Sequence, residues 1–449
     1  MLAGPTSIED KNEDKVYKKV TWRLMPFIGL CYMISYLDRV NVGFAKLQML
    51  SDLHFSEAVY GFGAGIFFIG YFIFEVPSNL IMHRVGAKIW MARIMITWGI
   101  ISALMAFTGV FATKLGVSNI VMFYSLRFLL GVAEAGFFPG MILYFNYWYP
   151  AHRHGKIVAL MLSAQPVAFI FGGPLSGWVM DAFNGVGAMR GWQWMFLMEG
   201  IPAAVVGVVI IFYLSNGIKD SRWLTADEKS VLIHRVESEK KFKSDYPLSQ
   251  LFKIRMLYVF IGITFMNVIG IYGLNFWIPS IIKAAGVTTN FKVGLITAIP
   301  YFVGAVAMLL VSLRSERVNE KRWHTSVAAA IGGLGLIGSA YFTGNIVVTM
   351  TFITIGLAGC LATNAMIWSF PGSILTGSAA AAGIATINSL GALGGFFGPS
   401  LLGVLTDMFG NRTAGLAVLG CCEFVAALLI AVFCGSYGIQ RDSSKVSTA

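Results

Sequence analysis

The chain has 449 residues, 57% hydrophobic and only 12% charged, where soluble domains carry about 25% charged residues. So apolar a background excludes a water-soluble domain, a disordered chain and a disulfide scaffold. The formal net charge of +11 therefore needs an explanation other than nucleic-acid binding.

A mixed-charge tail, 1–20, precedes the first apolar run, Leu24 to Ala45, which is longer than the core of a signal peptide and is expected to be retained as a span. A bilayer-crossing helix takes about 20 apolar residues. On that measure spans are predicted at 24–46, 59–81, 89–112, 118–141, 155–181 and 194–216, then at 253–277, 292–313, 325–343, 346–369, 379–405 and 414–436. The backbone of each span must satisfy its own hydrogen bonds in lipid, so each is read as helix. A charged segment, 218–250, with Trp223, Asp227, Glu228 and several lysines, reads as a surface helix and linker. A polar tail, 437–449, follows the last span. The expected organisation is thus a six-helix bundle at 21–217, a central loop, and a second six-helix bundle at 251–436. The five cysteines lie in or beside apolar runs and read as small packing residues.

Placing the N-terminus in the cytoplasm puts 25 of the 33 Lys and Arg residues on that side. The other side holds only Lys46, Lys114, Arg190, Lys283, Lys292 and Arg412, while Arg39 and Arg127 fall inside spans. This asymmetry predicts that both termini are cytoplasmic, in a plasma membrane or a bacterial inner membrane, and it accounts for the basic charge as topology. The expected partners are therefore the lipid bilayer and a small solute, with no nucleic acid. Nothing in the sequence implies a metal or cofactor, and a monomer is expected.

An internal repeat divides the chain. Gly173-Pro174-Leu175-Ser176-Gly177-Trp178-Val179-Met180-Asp181 returns, with one inserted residue, as Gly398 to Asp407. A second echo pairs His83 to Lys88 with Glu316 to Lys321, each after the second span of its half. Repeats with a site between them suit carriers in which one half rocks against the other. With Arg84-Val85-Gly86-Ala87-Lys88 in that loop, and His83 where an Asp is usual, the sequence resembles the major facilitator superfamily over essentially its whole length. Tyr36 to Gly43, Glu75 to Asn79, Arg127 to Gly140, Gly191 to Trp194 and Trp223-Leu224-Thr225 are similar to motifs of the anion:cation symporter family. Among its branches the tartrate, phthalate, hydroxyphenylacetate and sugar-acid permeases are the most similar. The resemblance implies an all-α polytopic membrane protein with twelve transmembrane helices in two pseudo-symmetric six-helix bundles. It also implies import of an organic anion together with protons.

Ionisable groups in mid-span cost about 2.5–3.5 kcal/mol each and mark a pathway or a partner. Arg127 and Glu134 lie seven residues, about two turns, apart on one helix face. An arginine offers a carboxylate two parallel hydrogen bonds and stays protonated, so Arg127 is the expected anion-binding residue. A buried carboxyl can be tuned to titrate near working pH, so Asp38 and Glu134 are the expected proton carriers. The resemblance assigns these three positions to the same roles. The other reading makes Asp38 with Arg39, and Arg127 with Glu134, structural or gating ion pairs. Arg39 is divided between the two readings, and so is Glu75, which shares a face with Tyr71. Arg84, Lys88, Glu316 and Arg317 are gating candidates by their place in the second echo. Glu199 and Glu423 are read as structural.

A carboxylate bearing hydroxyl or aromatic groups needs donors and stacking faces from both halves. Tyr36, Tyr71 and Gln165 are the candidates from the first half, and Asn275, Asn364, Trp368 and Asn388 from the second. The resemblance places Gln165, Trp368 and Asn388 at substrate contacts. Ala365 stands where some sugar-acid carriers have a serine, which argues against a strongly polyhydroxylated ligand. For the asparagines and tyrosines, the competing role is a hydrogen bond that joins helices. Gly61, Gly63 and Gly65 are spaced like part of a phosphate loop, but inside a span they read as close helix packing. A membrane-bound transferase or hydrolase lacks a nucleophile and base pairing here. The remaining alternatives are an organic-anion exchanger or exporter without proton coupling, and a non-transporting nutrient sensor on the same fold.

Overall fold

The computed structural model describes residues 8–240, 253–342, 345–370 and 377–435. The end of the expected central loop and the tail 437–449 lie outside the described residues. The amino-terminal half comprises α1 (Ile8–Leu53), α2 (Glu57–Val85), α3 (Ala87–Met105), α4 (Thr108–Leu115), α5 (Asn119–Glu134), α6 (Phe137–Asn146), α7 (Ala151–Leu162), α8 (Ala164–Ala182) and α9 (Gly191–Tyr213). A surface helix, α10 (Ala226–Lys240), follows. The carboxy-terminal half comprises α11 (Arg255–Asn275), α12 (Ile278–Ala284), α13 (Asn290–Val318), α14 (Arg322–Tyr341), α15 (Ile346–Ile367), α16 (Gly377–Ala392), α17 (Gly394–Phe409) and α18 (Thr413–Phe433).

Several predicted spans are pairs of helices joined at a break. The fourth is interrupted directly after Glu134, where Gly136 takes φ 86°, a left-handed conformation open to glycine without steric cost. There the freed carbonyl of Ala135 accepts from Ser78 Oγ at 2.6 Å. Helix starts that face solvent are capped by Ser56, Ser118, Thr289 and Asn345, each accepting from an amide of the first turn. The first helix is longer than its predicted span, because Val16, Tyr17 and Val20 of the charged tail are buried and carry the helix back to Ile8.

Among the described residues, eleven helical spans are long and apolar enough to cross a membrane. The predicted ninth span is α14, which is not among the eleven. Its helix is diluted by Gly332, Gly333, Gly335 and Gly338 and packs between α15 and α18. A Cβ on Gly335 would fall on the backbone of Gly356 in α15, so the glycines that lower its hydropathy also let the helices touch. Large apolar side chains stay exposed on many helices, including Phe171, Phe212, Leu310, Leu334 and Leu428. So much exposed apolar surface needs a lipid environment.

The halves meet along two seams, α2 against α17 and α8 against α13. The α10 helix belongs to the amino-terminal half. Trp223, just before it, stacks on Trp148 at 5.5 Å. Glu228 pairs with Lys19 at 2.8 Å, and Arg235 donates to Glu13 at 2.8 Å.

Candidate functional site

The charged residues predicted inside spans gather where α1, α2 and α5 approach the carboxy-terminal half. Arg39, on α1, forms an ion pair with Glu134, the last residue of α5. Its second terminal nitrogen donates to the Tyr272 hydroxyl of α11 at 3.3 Å. Its guanidinium carbon lies 5.0 Å from the ring centre of Tyr36, 5.4 Å from that of Phe67 and 5.8 Å from that of Tyr71. A cation over aromatic faces gains electrostatic attraction, and more when water is excluded. Glu134 is 1% exposed and Arg39 is 13% exposed, so the guanidinium is the more accessible member of the pair.

Arg127 is placed differently. It is fully buried, and its Nε donates to the Gly63 carbonyl at 3.2 Å. One terminal nitrogen donates to the Ala64 carbonyl at 3.0 Å, while the other has no hydrogen-bond partner among the described residues. Gly63 is what permits the approach, since a Cβ there would collide with the ring of Phe123, four residues before Arg127. Arg127 also lies over the Phe67 ring, at 5.3 Å, so one phenylalanine serves both guanidiniums. The side chain expected to meet a ligand is thus held inside the amino-terminal half by α2 carbonyls.

Asp38 turns away from its neighbour Arg39, as residues about 100° apart on a helix do. Ser102 of α3 donates to its Oδ1, Asn41 Nδ2 lies 3.1 Å from the same oxygen, and Oδ2 has no partner among the described residues. Neither pair of the structural reading, Asp38 with Arg39 or Arg127 with Glu134, is present. Arg39 takes Glu134 instead, because α5 ends at Glu134 beside α1 while Arg127 sits two turns back against α2.

Among the predicted lining residues, Tyr36 and Tyr71 surround Arg39. Asn275 accepts from Tyr301 of α13 at 2.9 Å and belongs to the carboxy-terminal half. Glu75 accepts from Ser389, with Asn388 a further hydrogen-bonding neighbour, and so joins α2 to α16 across the seam. Gln165 is half-buried at the start of α8, and Asn364 and Trp368 are half-buried at the end of α15 and just beyond it. Arg84, Glu316 and Arg317 are exposed at the same end of the bundle as α10, and Lys88 is half-buried there. Glu199 accepts from Ser176 at 2.6 Å through Oε1 and its Oε2 has no partner among the described residues, while both oxygens of Glu423 accept from Asn267 at 3.1 and 3.2 Å.

Sequence reasoning missed Tyr272, Ser102 and Ser389. Tyr272 lies three residues before Asn275 on the same helix face, and Ser389 adjoins Asn388, so both had a signal. Ser102 had none, being a serine in an apolar run whose partner is set by the packing of α3 on α1. Phe169 of α8 stacks on Tyr301 of α13 at 4.3 Å with an interplanar angle of 2°, and this aromatic bridge between the halves was also not foreseen.

Residues 28–399 match the model of the Major Facilitator Superfamily. The chain is 44% identical over 438 residues to a putative tartrate transporter of Agrobacterium vitis, covering 96% of this chain and 93% of that one. It is 42% identical over 435 residues to the putative metabolite transport protein NicT of Pseudomonas putida, covering 96% and 97%. The crystal structure of a D-xylose-proton symporter matches at a TM-score of 0.72 and 16% identity, covering 92% of this chain and 97% of that one, which shows a shared fold. The family model and the transporter-named relatives make this multi-pass membrane protein a solute transporter and not an enzyme. The chain belongs to the major facilitator superfamily.

Proposed function

We propose that this transporter is a proton-coupled symporter of the anion:cation symporter type, importing a small organic carboxylate by alternating access. The observation that carries the reading is the Arg39–Glu134 pair, seated under Tyr36 and Tyr71 and touching Tyr272 of the other half. A proton taken up by Glu134 removes the partner of Arg39 and leaves a permanent cation at the seam. An incoming carboxylate then replaces the Glu134 carboxylate as the acceptor of its hydrogen bonds. Once the anion leaves, Arg39 recaptures Glu134 as the proton departs, which makes binding of the two ligands cooperative. Asp38 is the second proton site, isolated from Arg39 and held by Ser102 and Asn41.

In this proposal Arg39 takes the anion-binding role that the sequence pointed to in Arg127. Arg127 instead keeps a positive charge beside both acids, fixed by its carbonyl partners. Tyr36, Tyr71 and Gln165 contribute the first-half lining, and Asn275, Asn364, Trp368 and Asn388 the second. The name of the Agrobacterium vitis relative supports a hydroxylated dicarboxylate such as tartrate as a first substrate to try. The basic-residue asymmetry supports cytoplasmic termini in the plasma membrane, so that the end bearing α10 faces the cytoplasm.

The test is uptake of labelled tartrate, phthalate and sugar acids into proteoliposomes with and without an inward acid gradient. Gradient-driven accumulation is expected for one of them; equal uptake in both conditions excludes symport.

A further inference from the structure

The internal repeat has a structural meaning on the face away from α10. In the first copy, Asp181 at the end of α8 reaches the start of α13 in the other half. Its Oδ1 accepts from the Asn290 amide at 3.2 Å and from Asn290 Nδ2 at 2.8 Å, and its Oδ2 accepts from the Phe291 amide at 2.8 Å. In the second copy, Asp407 at the end of α17 reaches the start of α2. Its two oxygens accept from the Glu57 amide at 3.2 Å and the Ala58 amide at 2.8 Å. Both carboxylates thus bind the first two amides of a helix that belongs to the opposite half.

The local caps Thr289 and Ser56 already take the third amide of each helix. The aspartates therefore supply what the local sequence leaves open, at helix ends that attract negative charge. Four residues before each aspartate stands a glycine. A Cβ on Gly177 would fall on the Asn290 carbonyl, and a Cβ on Gly403 on the Glu57 carbonyl. The pattern Gly-x-x-x-Asp therefore brings one helix against the first turn of another and ties it there, twice, by the same construction.

We propose that Asp181 and Asp407 are a matched pair of latches that hold this face closed, so that releasing one loosens both seams. The two sites are coupled because each half is a packed body: separating α2 from α17 also pulls α8 from α13. The α2 latch is reinforced by Glu57, which pairs with Lys46 of its own half and lies 3.8 Å from Arg412 of the other. The α13 latch is reinforced by Lys283, 3.2 Å from Asn290 Oδ1.

The test is amide hydrogen exchange on the full-length protein, without substrate or pH gradient, so it stands apart from proton coupling. Asp407→Asn is expected to raise exchange about tenfold or more at Glu57 to Gly61, since two charge-assisted hydrogen bonds are weakened. It is also expected to raise exchange at Asn290 to Gly294, which Asp407 does not touch. A rise confined to Glu57 to Gly61 reduces Asp407 to a local helix cap and overturns the proposal. Gly177→Ala provides the converse, keeping both aspartates while wedging the other seam, and is expected to raise exchange at Glu57 to Gly61. Protection of the α14–α15 packing serves as the folding control. If Asp407→Asn loses that protection, Gly177→Ala decides, and an unchanged Glu57 to Gly61 segment in it overturns the proposal.

Discussion

Arg127 and Glu134 stand two turns apart on one helix, yet Glu134 is bound by Arg39 of another, while Arg127 is turned onto the carbonyls of Gly63 and Ala64. This arrangement separates two kinds of guanidinium. One has a carboxylate partner that a second carboxylate can replace, and the other has backbone partners that no ligand can displace without breaking the contact of α5 with α2.

Substituting each arginine in turn should give different phenotypes. Arg39→Gln is expected to weaken carboxylate binding by about 10- to 100-fold, because a hydrogen bond to a charged group contributes about 1.5–3 kcal/mol. Arg127→Gln is expected to lower the melting temperature with a smaller loss of affinity, since it strips the donors from two helix carbonyls. Titration calorimetry and thermal unfolding of both variants check this. A greater affinity loss in Arg127→Gln would return the anion site to Arg127.

Glu134→Gln fixes the neutral form of the acid that holds Arg39. Counterflow of labelled against unlabelled carboxylate is expected to persist, because the cation is free and the halves can still rock. Accumulation driven by an acid gradient is expected to vanish, because the proton whose uptake by Glu134 frees Arg39 for the anion no longer moves with it. Accumulation at the wild-type level would remove Glu134 from the coupling path.

The predicted spans were legible because lipid imposes length and apolarity on each, though the ninth, glycine-rich α14, is not among the eleven spans of the described residues that are apolar enough to cross a membrane. The site was legible as a set of residues and less so as a set of pairs. Asp38, Arg39, Arg127 and Glu134 announce themselves by charge in apolar runs. Their partners depend on the break at Gly136 and on the approach of α2 to α5 that Gly63 permits, which are tertiary facts. Tyr272 shows the same limit, since a tyrosine is too common in membrane helices to be singled out without knowing that α11 brings it to Arg39. The repeat ending in Asp181 and Asp407 is visible in the sequence as a sign of duplication, while its cross-half partners are set by how the two halves pack.

The docking of α10 should depend on pH. Hydrogen bonds from Lys19 and from the Thr225 amide hold the Glu228 carboxyl below its ordinary value. A group whose folded pKa is depressed contributes stability above its unfolded pKa, about 4.3 for Glu, and loses it as pH falls through the folded value. Exchange of the α10 amides, corrected for intrinsic rates, is therefore expected to be faster in Glu228→Gln than in wild type at pH 7. The two proteins should converge only once the pH has fallen below that lowered folded value. Equal exchange in the two proteins at pH 7 would assign the docking to the Trp148–Trp223 stack and the Glu13–Arg235 pair instead.

Glycine packing, which left α14 outside the helices recognised by hydropathy alone, can be tested as a stability term. Gly335→Leu places a side chain where the Gly356 backbone already lies. Overpacking a close contact costs about 1–3 kcal/mol, and occasionally more. Because the obstacle here is backbone, relief requires α14 and α15 to move apart along their length, which places the cost at the upper end of that range. Gly217→Ala is the matched control. A Cβ there meets nothing within 4 Å, and a surface substitution of that kind stays within about 0.5 kcal/mol. Thermal unfolding in detergent is expected to show a clear drop in melting temperature for Gly335→Leu and none for Gly217→Ala. Equal melting temperatures for the two variants would mean that α14 is held by its other contacts and that the α14–α15 approach contributes nothing measurable.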